Sequence, residues 1–114
     1  MIEVPLERFE ELVADALDSI PAELGRLMDN VWVQVAEQRD PHLLGLYEGV
    51  PLTRRDSGYA GMVMPDRITI YRRPICSICG TEDQIVAQVR ATVVHEVAHH
   101  FGIDDHRLRQ LGWG

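Results

Sequence analysis

Hydrophobic residues recur at helical spacing near the start of the chain, and acidic residues occupy the other face. The apolar positions within residues 5–18 are Leu6, Phe9, Leu12, Val13, Ala16 and Leu17. This pattern predicts an amphipathic helix. Pro21 suits the first turn of a second, short helix that ends near Asp29.

Three later segments carry strand patterns. Residues 31–36 are rich in β-branched and aromatic side chains, which predicts a strand. Residues 67–72 alternate polar with apolar side chains, which is typical of a half-buried strand. Residues 44–52 predict a third strand, but the two glycines and Pro51 weaken it and confine it to a sheet edge or a bulge. The polar segment 53–61 predicts a loop.

The hydrophobic period changes at Thr81. Thr81 and Gln84 have the spacing of a capping box, which predicts a helix start. An apolar residue then recurs every fourth position, at Ile85, Val89, Val93, Val97 and Phe101. This stripe predicts a long helix buried along one face. Gly102 predicts its end, because glycine adopts the left-handed conformation after a last turn without steric cost. A short helix is expected from about Asp104 to Leu111.

Two histidines on this helix carry the candidate chemistry. His95 and His99 are four residues apart, so they lie on one helix face, roughly opposite the buried stripe. Zinc suits such a pair, because both imidazoles reach one ion at about 2.0–2.1 Å. Glu96 lies about 100° around the helix from His95. From there it can contact a metal-bound water without becoming a ligand, as in the known helical zinc-protease motif.

A catalytic zinc site needs a third protein ligand and an open fourth position. Because the helix ends at Gly102, the chain can turn back towards the metal shortly afterwards. Asp105 is our preferred third ligand, with Asp104 and His106 as alternatives. Asp104 can instead cap the last helix, and His106 can be a plain surface residue.

The segment from His95 to Asp105 resembles the extended zincin signature His-Glu-x-x-His-x-x-Gly-x-x-ligand, with a carboxylate where metzincins have histidine. The chain resembles more closely the minimal zincin-like metallopeptidases of bacteria, a family of about this size. Segments 45–52, 65–70 and 111–113 also match that family. The resemblance implies a zincin-like fold and peptidase activity, without a known substrate.

Composition and charge limit the classes of binding partner that we expect. Hydrophobic residues make up 46% of the 114-residue chain and charged residues 25%, as in soluble globular proteins. The net charge is −7, and no basic stripe is present, so nucleic acid and anionic membrane are not expected partners. The sequence shows no signal peptide or membrane span, which predicts a cytoplasmic protein. The oligomeric state is left open.

These observations predict one α+β domain over residues 1–114, zincin-like, with a small mixed sheet packed on the metal-bearing helix. The expected cofactor is Zn²⁺, held by His95, His99 and Asp105. Glu96 is the expected catalytic residue: as general base it activates the zinc-bound water for hydrolysis of a peptide or protein substrate. By analogy with zincins, the edge strand within residues 44–52 would receive an extended peptide by strand addition.

Two other functions compete with the peptidase. A non-enzymatic interaction module would use zinc only to stabilise a small fold. A zinc-dependent endoribonuclease would use the pattern His-x-x-x-His-x-x-Gly-x-Asp-His, which His95, His99, Gly102 and Asp104 match. Asp105 departs from the final histidine of that pattern, and Glu96 would have no role in it.

The remaining candidate residues have ordinary structural explanations. Cys76 and Cys79 are expected to be two small, half-buried side chains; a redox pair or a second metal site is the alternative. The three tyrosines could stabilise an oxyanion but are expected to pack. The other histidines and the arginine pair are expected at the surface. The residues concerned are Tyr47, Tyr59, Tyr71, His42, His100, Arg54 and Arg55.

Overall fold

The computed structural model of the chain describes residues 1–49 and 65–113. In chain order the elements are α1 (Leu6–Asp18), α2 (Ala22–Leu27), β1 (Val31–Ala36), β2 (Gly45–Glu48), β3 (Asp66–Tyr71), α3 (Arg72–Ile78), α4 (Glu82–His100) and α5 (Asp105–Leu111). The predicted loop at 53–61 and the end of the predicted strand 44–52 lie outside the described residues. Within the described ranges, every helix is too short or too polar to cross a membrane.

The sheet has three strands in the order β1-β3-β2. β1 is parallel to β3, with Val33 opposite Ile68, and β2 is antiparallel to it, with Tyr47 also opposite Ile68. The sheet is therefore small and mixed, as predicted. Because β3 lies in the centre, its second half is buried on both faces, including Thr69. The prediction of a half-buried strand was wrong for that half.

The long helix α4 forms where the capping pattern predicted. Thr81 is its N-cap, and the Thr81 hydroxyl accepts a hydrogen bond from the Gln84 backbone N–H at 3.1 Å. The Gln84 side chain accepts in turn from the Gly80 N–H at 2.6 Å. The first bond satisfies a backbone donor that the helix start leaves without an intrahelical partner, and the second ties the preceding residue to the first turn.

The buried stripe of α4 covers four of the five predicted positions. Ile85, Val89, Val93 and Val97 are fully buried. Phe101 is 44% exposed, so its predicted place in the stripe was wrong. Phe101 is the C-cap residue, where the backbone leaves the helical path and the fourfold spacing no longer keeps a side chain on the buried face.

Helix α1 packs along α4 through its own apolar face, where Phe9, Leu12, Val13 and Ala16 are buried. An ion pair joins the two helices at the surface. The Arg8 guanidinium donates to both carboxylate oxygens of Glu82, at 2.8–3.3 Å. This contact lowers the pKa of Glu82, chiefly through the hydrogen bond from Arg8.

Helix α3 was not predicted. It follows β3 directly, and buries Pro74, Ile75 and Cys76. Pro74 lies in its first turn, where the missing N–H has no helical partner to lose. The helix is only 7 residues long, too short for a helical period to stand out in the sequence.

Candidate metal site on the long helix

The turn after α4 returns the chain towards the histidines. Gly102 has a φ of 78°, in the left-handed region, as predicted. The Ile103 N–H donates to the Ala98 carbonyl at 2.8 Å, and the Gly102 N–H donates to the His99 carbonyl at 3.1 Å. These two bonds form a Schellman motif. The partly buried Ile103 packs against the core, which anchors the turn just before Asp104 and Asp105.

This turn brings Asp105 to both histidines. Its Oδ1 atom lies 3.0 Å from His99 Nε2 and 3.8 Å from His95 Nε2. The side chains of all three residues are 42–60% exposed, so an ion can reach them from solvent. The hydrogen bond from His99 lowers the pKa of Asp105, with smaller contributions from the charges of His99 and His95. The ionised carboxylate is the form that a metal ligand requires.

The three residues fit zinc in chemistry and approximate spacing. His95 Nδ1 lies 2.7 Å from the Ala91 carbonyl, and a carbonyl can only accept, so Nδ1 donates there and Nε2 is the ring nitrogen left to face a metal. Ligands of one tetrahedral zinc ion lie about 3.3–3.4 Å apart. The two distances to Asp105 Oδ1 fall on either side of that value. Across residues 1–49 and 65–113, however, no group of three or more His, Cys, Asp or Glu side chains is arranged so that it could hold a metal ion as it stands.

The other two candidates for the third ligand are engaged elsewhere. Asp104 is the N-cap of α5, and its Oδ1 accepts from the Arg107 N–H at 2.8 Å. His106 is exposed, and its Nε2 lies 3.2 Å from the side-chain nitrogen of Gln110. The structure thus brings Asp105, rather than Asp104 or His106, to the histidine pair.

Glu96 lies between the histidine face of α4 and the sheet. Its Oε1 atom accepts a hydrogen bond from the Tyr47 backbone N–H on β2, at 3.1 Å. This contact ties the carboxylate to β2. The sequence offered no means to foresee it, because the contact depends on how β2 docks against α4.

A second group of residues near Glu96 was not predicted as a unit. The Tyr47 hydroxyl donates to Asp66 Oδ2 at 2.6 Å, and the Tyr47 ring stacks on His100 with centroids 3.9 Å apart. Tyr47 therefore packs, as expected. His100 is exposed, as expected, and its ring packs on that of Tyr47. Asp66 was not singled out, and the one signal for it was its place in the segment that resembles the family.

A groove adjoins the candidate site between β2 and α4. It encloses about 320 Å³ and is lined by Leu43, Leu44, Gly45, Gln88, Ala91, Thr92, His95 and Glu96. A larger cavity of about 550 Å³ lies between the N-terminal segment and α3, and its lining contains none of the predicted site residues. The smaller groove is thus the one that opens onto the chemistry.

Of the two cysteines, Cys76 lines the larger cavity, whose lining contains no histidine. Cys76 and Cys79 are free thiols and more deeply buried than expected, at 6% and 3% exposure. Burial raises the pKa of both thiols. The pair therefore has the protonated, inert character of core cysteines.

His42 is exposed and Tyr71 is buried, as expected, whereas Arg54, Arg55 and Tyr59 lie outside the described residues.

Comparison with known proteins found a similar structure and a matching family model. The chain is similar in structure to a conserved hypothetical protein from T. thermophilus, with 24% sequence identity and a TM-score of 0.54. The similarity covers 85% of this chain and 94% of that protein. No curated protein matches the chain. The family model described as zincin-like metallopeptidase matches residues 26–113, from the second half of α2 to the end of the described chain. The chain belongs to the zincin-like metallopeptidase family.

Proposed function

We propose that the protein is a zinc-dependent peptidase in which His95, His99 and Asp105 hold the metal and Glu96 is the general base. The observation that carries this proposal is the placement of Asp105 Oδ1 at 3.0 Å and 3.8 Å from the two Nε2 atoms, with Glu96 next to His95 on the same helix. Membership of the zincin-like metallopeptidase family supports it.

Zinc, when bound, lowers the pKa of water and polarises a carbonyl group. The protein residues supply the rest of the chemistry. The Ala91 carbonyl keeps the His95 proton on Nδ1, so that Nε2 is the ligand atom. Glu96, oriented by the Tyr47 N–H, accepts the proton of the attacking water and delivers it to the leaving amine.

The groove between β2 and α4 suits part of an extended peptide. The Tyr71 N–H donates to the Leu44 carbonyl, and the hydrogen bonds of an antiparallel ladder alternate. The backbone N–H and C=O groups of residues 44, 46 and 48 therefore point to β3, and those of Gly45 and Tyr47 point away from it. Because the Tyr47 N–H donates its hydrogen bond to Glu96, it cannot donate to a bound peptide while that contact lasts. Strand addition along β2, expected from the zincin analogy, is therefore restricted at Tyr47.

The position of Asp104 favours a peptidase over a ribonuclease. The ribonuclease pattern places Asp104 in the site, but its carboxylate caps α5 instead. Glu96, which has no role in that pattern, lines the same groove as His95.

The proposal is tested with zinc-loaded protein and a mixture of unstructured peptides, read by mass spectrometry. We expect wild type to cleave peptides, and Glu96→Gln to bind zinc equally but to lose at least about 100-fold in rate, as general-base removal typically does. Asp83→Asn, at the far end of the same helix, is the matched control and should cleave normally. Equal cleavage by Glu96→Gln and wild type would contradict the mechanism.

A further inference from the structure

The docking of β2 against α4 is unusually close on both sides of Tyr47. A Cβ atom added to Gly45 would lie 2.6 Å from Thr92 Cγ2, which real structures do not tolerate. One added to Gly49 would lie 3.2 Å from His100 Cε1. The two glycines therefore allow β2 to approach the helix, and Tyr47 lies between them.

The Tyr47 side chain is fixed at the same junction. Its hydroxyl donates to Asp66 Oδ2 on β3, and its ring stacks on His100 at the end of α4, with an interplanar angle of 18°. The Asp66 side chain is only 14% exposed, and its Oδ2 atom also lies 3.8 Å from His100 Nε2. One residue thus contacts the sheet and the helix through its side chain, while its backbone N–H holds Glu96.

We infer that Tyr47 is a positioning residue: Asp66 and His100 clamp its side chain, and the clamp holds its N–H on the Glu96 carboxylate. The reason is geometric. A residue 47 free to shift along α4 would carry its N–H away from Glu96 Oε1, and the carboxylate would then sample other rotamers. That Glu96 is the general base rests on the proposed function, whereas the clamp itself does not.

Hydrogen exchange of metal-free, ¹⁵N-labelled protein tests the clamp without any substrate. The amides of Leu46 and Glu48 face β3, so they serve as internal references for the strand. In Glu96→Ala the amide of Tyr47 should exchange roughly 5- to 10-fold faster, the equivalent of one net hydrogen bond, while both references stay unchanged.

Tyr47→Phe keeps the ring and removes only the hydroxyl that donates a hydrogen bond to Asp66. We expect faster exchange at amide 47 in this variant, unchanged zinc affinity and a lower kcat with KM unchanged. Tyr71→Phe removes a hydroxyl from the buried tyrosine at the end of β3 and is the matched control, for which amide 47 and kcat should not change.

The inference is overturned if amide 47 exchanges equally in wild type and Glu96→Ala, or if Tyr47→Phe accelerates all three amides alike, which would mean a general loosening of β2. If no peptide is cleaved but the exchange pattern is as expected, the proposed function fails while the clamp stands. If cleavage requires Glu96 but the exchange rate of amide 47 is the same in Glu96→Ala and wild type, the proposed function stands and the clamp is wrong.

Discussion

Asp104 and Asp105 are neighbouring residues with the same side chain and different contacts. Asp104 accepts the Arg107 N–H and caps α5, whereas Asp105 accepts from His99. A preference for an oxygen acceptor at the N-cap explains the first contact. The second depends on the direction in which the chain leaves the Gly102 turn. The pair therefore offers a matched experiment on the third ligand.

Asp105→Ala should weaken zinc binding by at least about tenfold, because it leaves two protein ligands where a catalytic zinc has three. Asp104→Ala should leave zinc affinity nearly unchanged and lower the free energy of unfolding of the metal-free protein by about 1 kcal/mol, the usual cost of a lost N-cap. Zinc titration and urea unfolding of both variants separate the two effects. Loss of zinc binding in Asp104→Ala alone would reverse the assignment.

At the scale of elements, the turn between α4 and α5 sets the candidate site. Its Schellman hydrogen bonds require a left-handed residue at Gly102, and the partly buried Ile103 fixes the turn to the core. The helix supplies two of the proposed ligands by its period, and the turn supplies the third. A change in the turn should therefore act on both stability and metal binding.

Gly102→Ala should lower the free energy of unfolding by roughly 1–2 kcal/mol, because an alanine at positive φ is strained. It should also weaken zinc binding, because the strained turn displaces Asp105. Gly25→Ala, in α2, is the control: a Cβ there meets no atom within 4 Å, and alanine should stabilise the helix by roughly 0.5–1 kcal/mol. Urea unfolding measures the stability of both variants, and zinc titration measures the affinity of Gly102→Ala. Unchanged zinc affinity in Gly102→Ala would show that the turn does not set the site.

The contact between α1 and α4 should respond to acid. Arg8 lowers the pKa of Glu82 in the folded protein, so the ion pair stabilises the fold above the ordinary glutamate pKa. This stabilisation is lost as the pH falls through the lowered value. The stability difference between wild type and Glu82→Gln should therefore be present at neutral pH and disappear in strong acid. Glu10→Gln, on the exposed face of α1, is the control, and an equal pH dependence in both variants would exclude the ion pair as its cause.

Elements with a long, regular period could be predicted from the sequence, and contacts between elements could not. The capped helix α4, its stop at Gly102 and the strand at 31–36 follow from local patterns that tertiary packing reinforces. The burial of Thr69 follows from the central place of β3 in the sheet, which a single strand pattern does not encode. The contact between Tyr47 and Glu96 joins residues 49 positions apart and depends on two glycines that permit close docking.

At the scale of the molecule, a hydrophobic cluster joins the helices and the sheet within the described residues, and the side chains of the three proposed ligands are exposed outside it. The buried face of α4 belongs to that cluster, so the helix is held without a metal. Zinc should then add stability through binding alone and should not be needed for folding. Folding in the absence of zinc distinguishes a peptidase site from a zinc-stapled module, whose fold depends on the metal.

Removal of zinc by a chelator should lower the melting temperature of wild type but leave a cooperative transition. At free zinc about 100-fold above Kd, binding adds about 2.7 kcal/mol, which corresponds to a shift of roughly 10 °C. The double variant His95→Ala/His99→Ala should melt equally with and without chelator. Complete unfolding of wild type by the chelator at room temperature would favour the zinc-stapled module.

The central claim is that His95, His99 and Asp105 form a zinc site on α4. Equilibrium dialysis of metal-free protein against zinc, followed by metal analysis, tests it most directly. We predict about one zinc ion per chain for wild type and Glu96→Gln, and none retained by His95→Ala/His99→Ala. Wild-type protein that binds no zinc, or a double variant that binds it equally, would contradict the claim.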